Sequence, residues 1–433
     1  MRKPSVDVSV FKERRDKLKD IAPGCAFLLP AAEELHWLPY RQESNMYYLT
    51  GYDEPGSVAL IRPGMDPEFT MFVLPKDPAM EIWDGYRYGQ KGVVDEFGAD
   101  KGALVSEFEK DAVDLLIDCD KLYFAFGQNA EMDRMVKNLL DTTMRARGRT
   151  GKTRIPIFDP NDVLGEMRVV KSEYEQNCLR ESCELTAQAH IDAMKFTEPG
   201  VTERQVLGVL MKRFYGENAL REGYHSIVAS GANACTLHYR FNDAVCNKGD
   251  LLLIDAGAEK NYYTADITRT FPVDGTYTGP QKEIYEAVLK TQKALIDNLK
   301  VGMPYTEIQN QAIDGLTESL IDLGLLKGSK LELIESGAFR KYYPHNIGHF
   351  LGMDVHDVGL YMKGSESRPL EAGMAFTIEP GIYVPVDDKS APEEFRGIGV
   401  RIEDDILLTE SGAEVMTKSV PKEVSEVEAT CKS

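Results

Sequence analysis

The stretch LLLIDAGAEKNYYTADITRTF, Leu251–Phe271, sets how the rest of the chain is read. The apolar run Leu251–Ile254 and the β-branched, aromatic run Tyr262–Phe271 flank a short polar turn, which is the pattern of a β-hairpin. A turn centred on Lys260-Asn261 puts Asp255 directly opposite Asp266 on a strand too apolar to be solvated. Like charges facing each other destabilise a hairpin, and a buried unpaired carboxylate is costly or shifts its pKa and neutralises. A cation between them relieves both penalties, and a divalent metal ion is the simplest one. The competing reading is a surface hairpin with two solvated aspartates.

Composition narrows the choice. A chain of 433 residues exceeds what one core usually supports, so two domains are expected. Hydrophobic content of 43% with 28% charged residues suits a soluble enzyme, and no run of eighteen apolar residues is present to span a membrane. The N-terminus has no apolar core or cleavage site of a signal peptide. Seven cysteines without a CxxC pair are not a disulfide framework, which points to a cytoplasmic location. A formal charge of −20 argues against nucleic acid or anionic membrane as partner.

Residues 1–160 are expected to form an α/β domain without chemistry of its own. Strand-like runs lie at Cys25–Leu29, Ser57–Ile61, Phe69–Val73 and Lys121–Phe126, with helices near Val10–Ile21 and Lys101–Leu116. NMYYLTGYDEPG (Asn45–Gly56) reads as an aromatic strand running into a loop. The loop EIWDGYRYGQ (Glu81–Gln90) offers Trp83, Tyr86, Arg87 and Tyr88 as a lid or interface contact. A Gly-, Pro- and Asp-rich boundary at Gly148–Gly165 precedes the second domain, residues 161–433. There, Ser172–Glu175 and Thr202–Gln205 are capping boxes opening helices to about Phe196 and Leu220. A strand-like segment with His225 and His238 leads to the hairpin, further helices follow near Pro280–Asn298 and Tyr305–Leu323, and the tail from Ser419 reads as frayed.

The second half also carries other metal-ligand residue types. PHNIGHFLGMDVHD (Pro344–Asp357) packs in His345, His349 and His356, from a chain with seven histidines. AGMAFTIEPGIYV ends an apolar strand in Glu379, and GIGVRIEDDILLT sets Arg401 and Glu403 opposite Val400 and Ile402. One histidine and four carboxylates on separate β segments suit a pair of oxygen-preferring divalent ions: Mn²⁺ first, with Co²⁺, Zn²⁺ or Fe²⁺ as alternatives.

Together DAGAEKNYYTADITRTF, HNIGHFLGMDVHD, TIEPGIYV and GVRIEDD resemble the catalytic signature of the M24 "pita-bread" metallopeptidases, in the branch of aminopeptidase P and prolidase. The YYLTGYDEPG stretch resembles that branch's N-terminal domain. The resemblance implies an α/β N-terminal domain followed by an α+β pita-bread catalytic domain. It implies metal ligands Asp255, Asp266, His349, Glu379 and Glu403, with Asp266 and Glu403 bridging two ions. It further implies catalytic roles for Glu379, His238 and His356, with His345, Tyr383 and Arg401 around the substrate. The implied reaction is attack of a metal-bridged hydroxide on the first peptide bond of peptides with proline second, in a homodimer or homotetramer.

Proline's ring and missing N–H call for a dedicated pocket. Prolidases, which take Xaa-Pro dipeptides, carry an arginine three residues before the one that Arg368 resembles. Here that position is Ser365, a departure that favours longer peptides. Prolidase is therefore the second reading, methionine aminopeptidase a more distant one, and a non-catalytic pita-bread binding module the competing class.

Overall fold

The computed structural model describes residues 6–35 and 37–433, in two compact units, Met1–Met167 and Arg168–Ser433. In the first unit the strands are β1 (Ala26–Pro30), β2 (Val58–Ile61), β3 (Phe69–Val73), β4 (Lys101–Leu104), β5 (Leu122–Tyr123) and β6 (Ile157–Phe158). They form one mixed sheet in the order β4-β3-β2-β1-β5-β6. The helices are α1 (Ser9–Ile21), α2 (Ser44–Thr50), α3 (Glu81–Asp84), α4 (Gly89–Phe97), α5 (Phe108–Leu116) and α6 (Ala130–Gly148), with α7 (Asn161–Val169) crossing the division. Leu28, Leu60, Phe72, Phe108, Leu122 and Leu139 make its core.

Two expectations for this unit fail for local reasons. Asn45–Thr50 is helical, not a strand. Glu43 accepts a hydrogen bond from the Met46 amide at its start, and left-handed Gly51 closes it, where a Cβ would lie 2.2 Å from the Phe11 ring. Every residue of α2 is buried, so the sequence shows no polar face by which to read a helical period. Lys101–Leu116 is not one helix either, because Lys101–Leu104 pairs in parallel with β3 and helix begins only at Phe108.

The second unit opens with the two expected capping boxes, on α8 (Glu173–Phe196) and α9 (Glu203–Gly216). Strands β7 (Arg221–Glu222), β8 (Ile227–Ser230), β9 (Leu251–Ala256), β10 (Ala258–Lys260), β11 (Tyr263–Thr264) and β12 (Ile267–Pro272) follow. After α10 (Gly279–Asn298), α11 (Tyr305–Asp322) and α12 (Lys330–Glu335) come β13 (Met362–Lys363), β14 (Glu366–Ser367), β15 (Ala375–Ile378), β16 (Gly381–Tyr383), β17 (Gly399–Arg401), β18 (Asp404–Thr409) and β19 (Gly412–Val415). One antiparallel sheet is ordered β12-β9-β8, another β15-β18-β19, and a bridge between Thr268 and Glu403 joins edge strand β12 of the first to the lead-in of central strand β18 of the second. Helix α8 packs on α9 and against β12, and α10 packs on α11 and against β15. Each sheet thus has its own helix pair, as a pita-bread fold requires.

The hairpin register corrects the first expectation. Asp255 pairs with Thr268, and Glu259 with Thr264, so the turn residues are Asn261 and Tyr262, both at positive φ. Two consecutive positive-φ residues make a type I′ turn, which favours asparagine. The register differs from the expected one by two residues, which keeps Asp255 and Asp266 on one face as diagonal neighbours.

Two further expectations also fail. The segment after His225 is a strand only over Ile227–Ser230, then a 3₁₀ turn over Gly231–Cys235. The expected frayed tail contains α13 (Val424–Cys431), whose Val427 is fully buried and whose Glu428 accepts from the Tyr277 amide at 3.0 Å.

The turn carrying His356 is held by a buried ion cluster. Asp357 accepts from Arg168 Nη2 at 2.5 Å and Lys171 Nζ at 2.8 Å, with all three side chains 1% exposed. Burial pushes the Asp357 carboxyl up, but the two cations outweigh it and hold it below its ordinary value. Its contribution is therefore present above the unfolded carboxylate pKa of about 3.9 and is lost as pH falls below that. Asp357→Ala should lower stability by about 3–5 kcal/mol at neutral pH. Denaturant midpoints should show the gap to wild type narrowing below about pH 4, where the native carboxylate also loses its charge; a gap that does not change with pH would contradict this account.

Candidate active site

Strand ends of the second unit deliver the predicted residues to one cavity of about 950 Å³. Asp255 comes from the end of β9 and Asp266 from just before β12, while Glu379 follows β15 and Glu403 precedes β18. His349 is placed by backbone pairing with β15: the Thr377 amide donates to its carbonyl, and its amide donates to Thr377 Oγ1. Gly257 lets the strands of the hairpin meet, since a Cβ there would sit 1.7 Å from the Ala265 carbonyl oxygen.

Among the described residues, Asp266, His349 and Glu403 each present a ligand atom within 4.8 Å of the others. Glu379 Oε1 lies 3.9 Å from His349 Nε2. Asp255 is held from both sides: Arg401 Nη2 donates to Oδ2 at 2.5 Å, and the Tyr224 hydroxyl lies 2.7 Å from Oδ1. The same hydroxyl lies 2.5 Å from Asp266 Oδ1, so one proton serves two carboxylates. Thr268 Oγ1 donates to Glu403 at 2.6 Å, and the Asp266 amide donates to Asp405.

A cation fits this donor set. His349 Nδ1 donates to the Phe350 carbonyl at 3.1 Å, which turns Nε2 toward Asp266 Oδ2 at 3.4 Å. Such a lone pair facing a carboxylate oxygen is repulsive unless a proton or a metal ion lies there. Burial pulls His349 down, yet Asp266 and Glu379 outweigh it and raise the imidazole to about 9. Burial lifts Glu379 to about 8, with His349 and Arg401 opposing, and burial with its acidic neighbours drives Glu403 well above its ordinary value. Asp266 also rises, through burial and Asp255. Each shift reports missing positive charge at oxygen- and nitrogen-donor positions, which divalent ions supply.

Of the remaining predicted residues, His238, His345, His356 and Arg401 line the same cavity, and Tyr383 is buried and touches it through a hydrogen bond to His345. His345 Nδ1 donates to the Asn346 carbonyl at 2.8 Å, leaving Nε2 to accept from the Tyr383 hydroxyl at 2.9 Å. Arg401 Nη1 donates to that hydroxyl oxygen at 3.0 Å, so Asp255, Arg401, Tyr383 and His345 form one chain of hydrogen bonds. Burial, with Arg401 nearby, lowers His345 to about 4 and keeps it neutral. The His356 ring lies 4.1 Å from that of His349, and His238 lines the cavity from its exposed side. The segment carrying Arg401 and Glu403 is buried on both faces, since Val400 to Glu403 are all buried.

Sequence reasoning missed Tyr224 and Thr268. Neither has a motif of its own; the close-approach Gly257, where a Cβ would lie 3.2 Å from the Tyr224 ring, is the one signal that could have found the tyrosine. Neither Ser365 nor Arg368 is among the described residues lining the cavity. Ser365 lies in the turn between β13 and β14, and Arg368 Nη1 donates to the Leu360 carbonyl.

Comparison with known proteins agrees with this geometry. Residues 177–410 match metallopeptidase family M24, and residues 11–123 match the aminopeptidase P N-terminal domain. The Xaa-Pro aminopeptidase of Escherichia coli (strain K12) is 39% identical, spanning 97% of this chain and 96% of the relative. The structure of Pseudomonas aeruginosa aminopeptidase PepP superposes with a TM-score of 0.95 at 40% identity, covering 99% of both chains. A Zn-substituted E. coli aminopeptidase P in complex with product superposes at 0.93 with 38% identity, covering 99% of this chain and 98% of that one. With Asp266, His349 and Glu403 presenting ligand atoms to one another where two helix-backed sheets meet, and with these matches on both units, the chain belongs to metallopeptidase family M24, with an aminopeptidase P N-terminal domain in front of its catalytic domain.

Proposed function

We propose that the chain is an Xaa-Pro aminopeptidase that removes the first residue from peptides with proline second, using two divalent ions, with Mn²⁺ the leading candidate. The observation that carries this reading is the convergence of Asp255, Asp266, His349, Glu379 and Glu403 on one peptide-sized cavity, in a chain 39% identical over almost its full length to a relative of that activity. Asp255, Asp266, His349, Glu379 and Glu403 would hold the ions, which would supply Lewis acidity and a water of lowered pKa.

The chain's own groups do the rest. Glu379 takes the proton of the attacking water on a carboxylate oxygen and delivers it to the leaving proline nitrogen. His356 donates to the oxygen on which negative charge develops. His238 holds the substrate backbone beside the proline. Arg401 fixes the orientation of Asp255, and Tyr383 ties Arg401 to neutral His345.

Trp83 is 82% and Ile82 81% exposed on α3, which supports a role in pairing with a second copy of the chain in a homodimer or homotetramer. Seven free cysteines support residence in the reducing cytoplasm.

Chelator should abolish cleavage of an Xaa-Pro tripeptide and Mn²⁺ should restore it, with metal analysis finding two ions per chain; activity unaffected by chelator would exclude the reading. The tripeptide should be cleaved in preference to the Xaa-Pro dipeptide, whereas the reverse preference would make the protein a prolidase. Glu379→Gln should lower kcat by about 10²–10⁴-fold, and His356→Ala by about 10²–10³-fold with a smaller effect on KM. Trp83→Ala should shift the sedimentation coefficient toward a smaller species, and an unchanged profile would remove Trp83 from the interface.

A further inference from the structure

The loop from Thr236 to Asn242 is more firmly held than an exposed loop needs to be. Tyr239 turns inward and its hydroxyl donates to Glu203 Oε2 at 2.9 Å. Glu203 is fully buried and also accepts from the Ser230 amide at 2.7 Å, the Ala244 amide at 2.9 Å and the Asn233 side chain at 3.0 Å. Asn242, in a left-handed conformation, accepts from the Val228 amide and donates to the Ser226 carbonyl, which pins the far end to β8. His225 Nε2 donates to the Arg240 carbonyl at 3.1 Å. With Tyr239 locked inward, its two neighbours His238 and Arg240 both face out and line the cavity.

Arg240 is the cavity's second guanidinium. The first, Arg401, is buried and committed to Asp255. Arg240 is exposed at the mouth, and among the described residues no carboxylate lies within ion-pair distance of it. The candidate metal ligands form the more buried part of the cavity lining, with His356 beside His349, while His225, His238 and Arg240 are exposed at its opening. A peptide that enters with its amino end at the floor leaves its residues beyond the proline at the mouth.

We propose that Arg240 is a specificity-determining residue that binds a carboxylate on the part of the substrate C-terminal to proline. That group is the terminal carboxylate of a tripeptide or an acidic side chain in a longer peptide. The proposal rests on the Xaa-Pro aminopeptidase reading and adds a substrate class to it. A preorganised backbone confines the ordering cost to the arginine side chain, so a partly exposed ion pair gives a small, measurable preference.

The test compares kcat/KM for Ala-Pro-Ala as free acid and as C-terminal amide, and for Ala-Pro-Glu-Ala-amide against Ala-Pro-Gln-Ala-amide, in the Mn²⁺-loaded enzyme. In wild type the acidic member of each pair should be favoured about 2- to 5-fold, mainly through KM, and the preference should fade at high salt. Arg240→Gln should bring both ratios to about one, Arg240→Glu should invert them, and Arg240→Lys should keep part of the preference. A preference in the tripeptide pair alone assigns Arg240 to the terminal carboxylate, and one in both pairs to any carboxylate at the mouth. Equal ratios in wild type, or ratios that survive in Arg240→Gln, would overturn the proposal while leaving the peptidase reading intact. Failure to cleave any of the four peptides would overturn that reading and the proposal with it.

Discussion

Three or more carboxylates crowded at the floor of a buried cavity cannot all carry charge unless a cation lies among them. Asp266, Glu379 and Glu403 are each driven upward by burial and by neighbouring carboxylates, Asp255 among them in every case, and His349 is drawn toward its charged form in response. Burial alone would favour neutral groups at these positions. Holding so many acids together is destabilising in itself, so the surrounding fold must supply the rigidity that keeps them from moving apart.

That rigidity comes from the join between two sheets. The bridge between Thr268 and Glu403 fixes the inner edge of one sheet against the approach to β18 in the other. The same two residues share a hydrogen bond between their side chains, and Arg401 Nε donates to the Thr268 hydroxyl. Behind them Arg269 donates to Asp404 in a fully buried ion pair and the partly exposed Lys422 donates to the same carboxylate, so the backbone on the far side is tied down. Among the described residues Glu403, which lines the cavity, has no ion pair, whereas Asp404, one residue on, pairs with both Arg269 and Lys422. This contrast separates residues kept for chemistry from those kept for structure.

The local elements misread from sequence share a cause. In α2 every side chain is buried, so the polar face that reveals a helix's period is absent. The tail helix α13 is short and charged and gains its order from contacts to distant residues such as Tyr277 and Lys293. The hairpin register depended on which residues form the turn, and Asn261 with Tyr262 could adopt the left-handed pair only because the strands on either side enforce it. The capping boxes, by contrast, were read correctly because each is complete within four residues.

The sequence by itself determined the starts of the two capped helices α8 and α9, the pairing of a two-stranded core around Leu251–Phe271, and the residue types of a divalent-metal site, because these depend on short-range pattern and on ligand chemistry. It also placed Asp255 and Asp266 on one face, since a register difference of two leaves side-chain facing unchanged. Only the tertiary structure decided that Tyr224 sits between those aspartates, that Arg401 reaches both Asp255 and Tyr383, and that Arg240 and His238 stand together at the mouth of the cavity. These contacts join residues far apart in sequence, and no local pattern encodes a distance across a fold. They exist because two helix-backed sheets close on one another and bring separate strand ends to a single point.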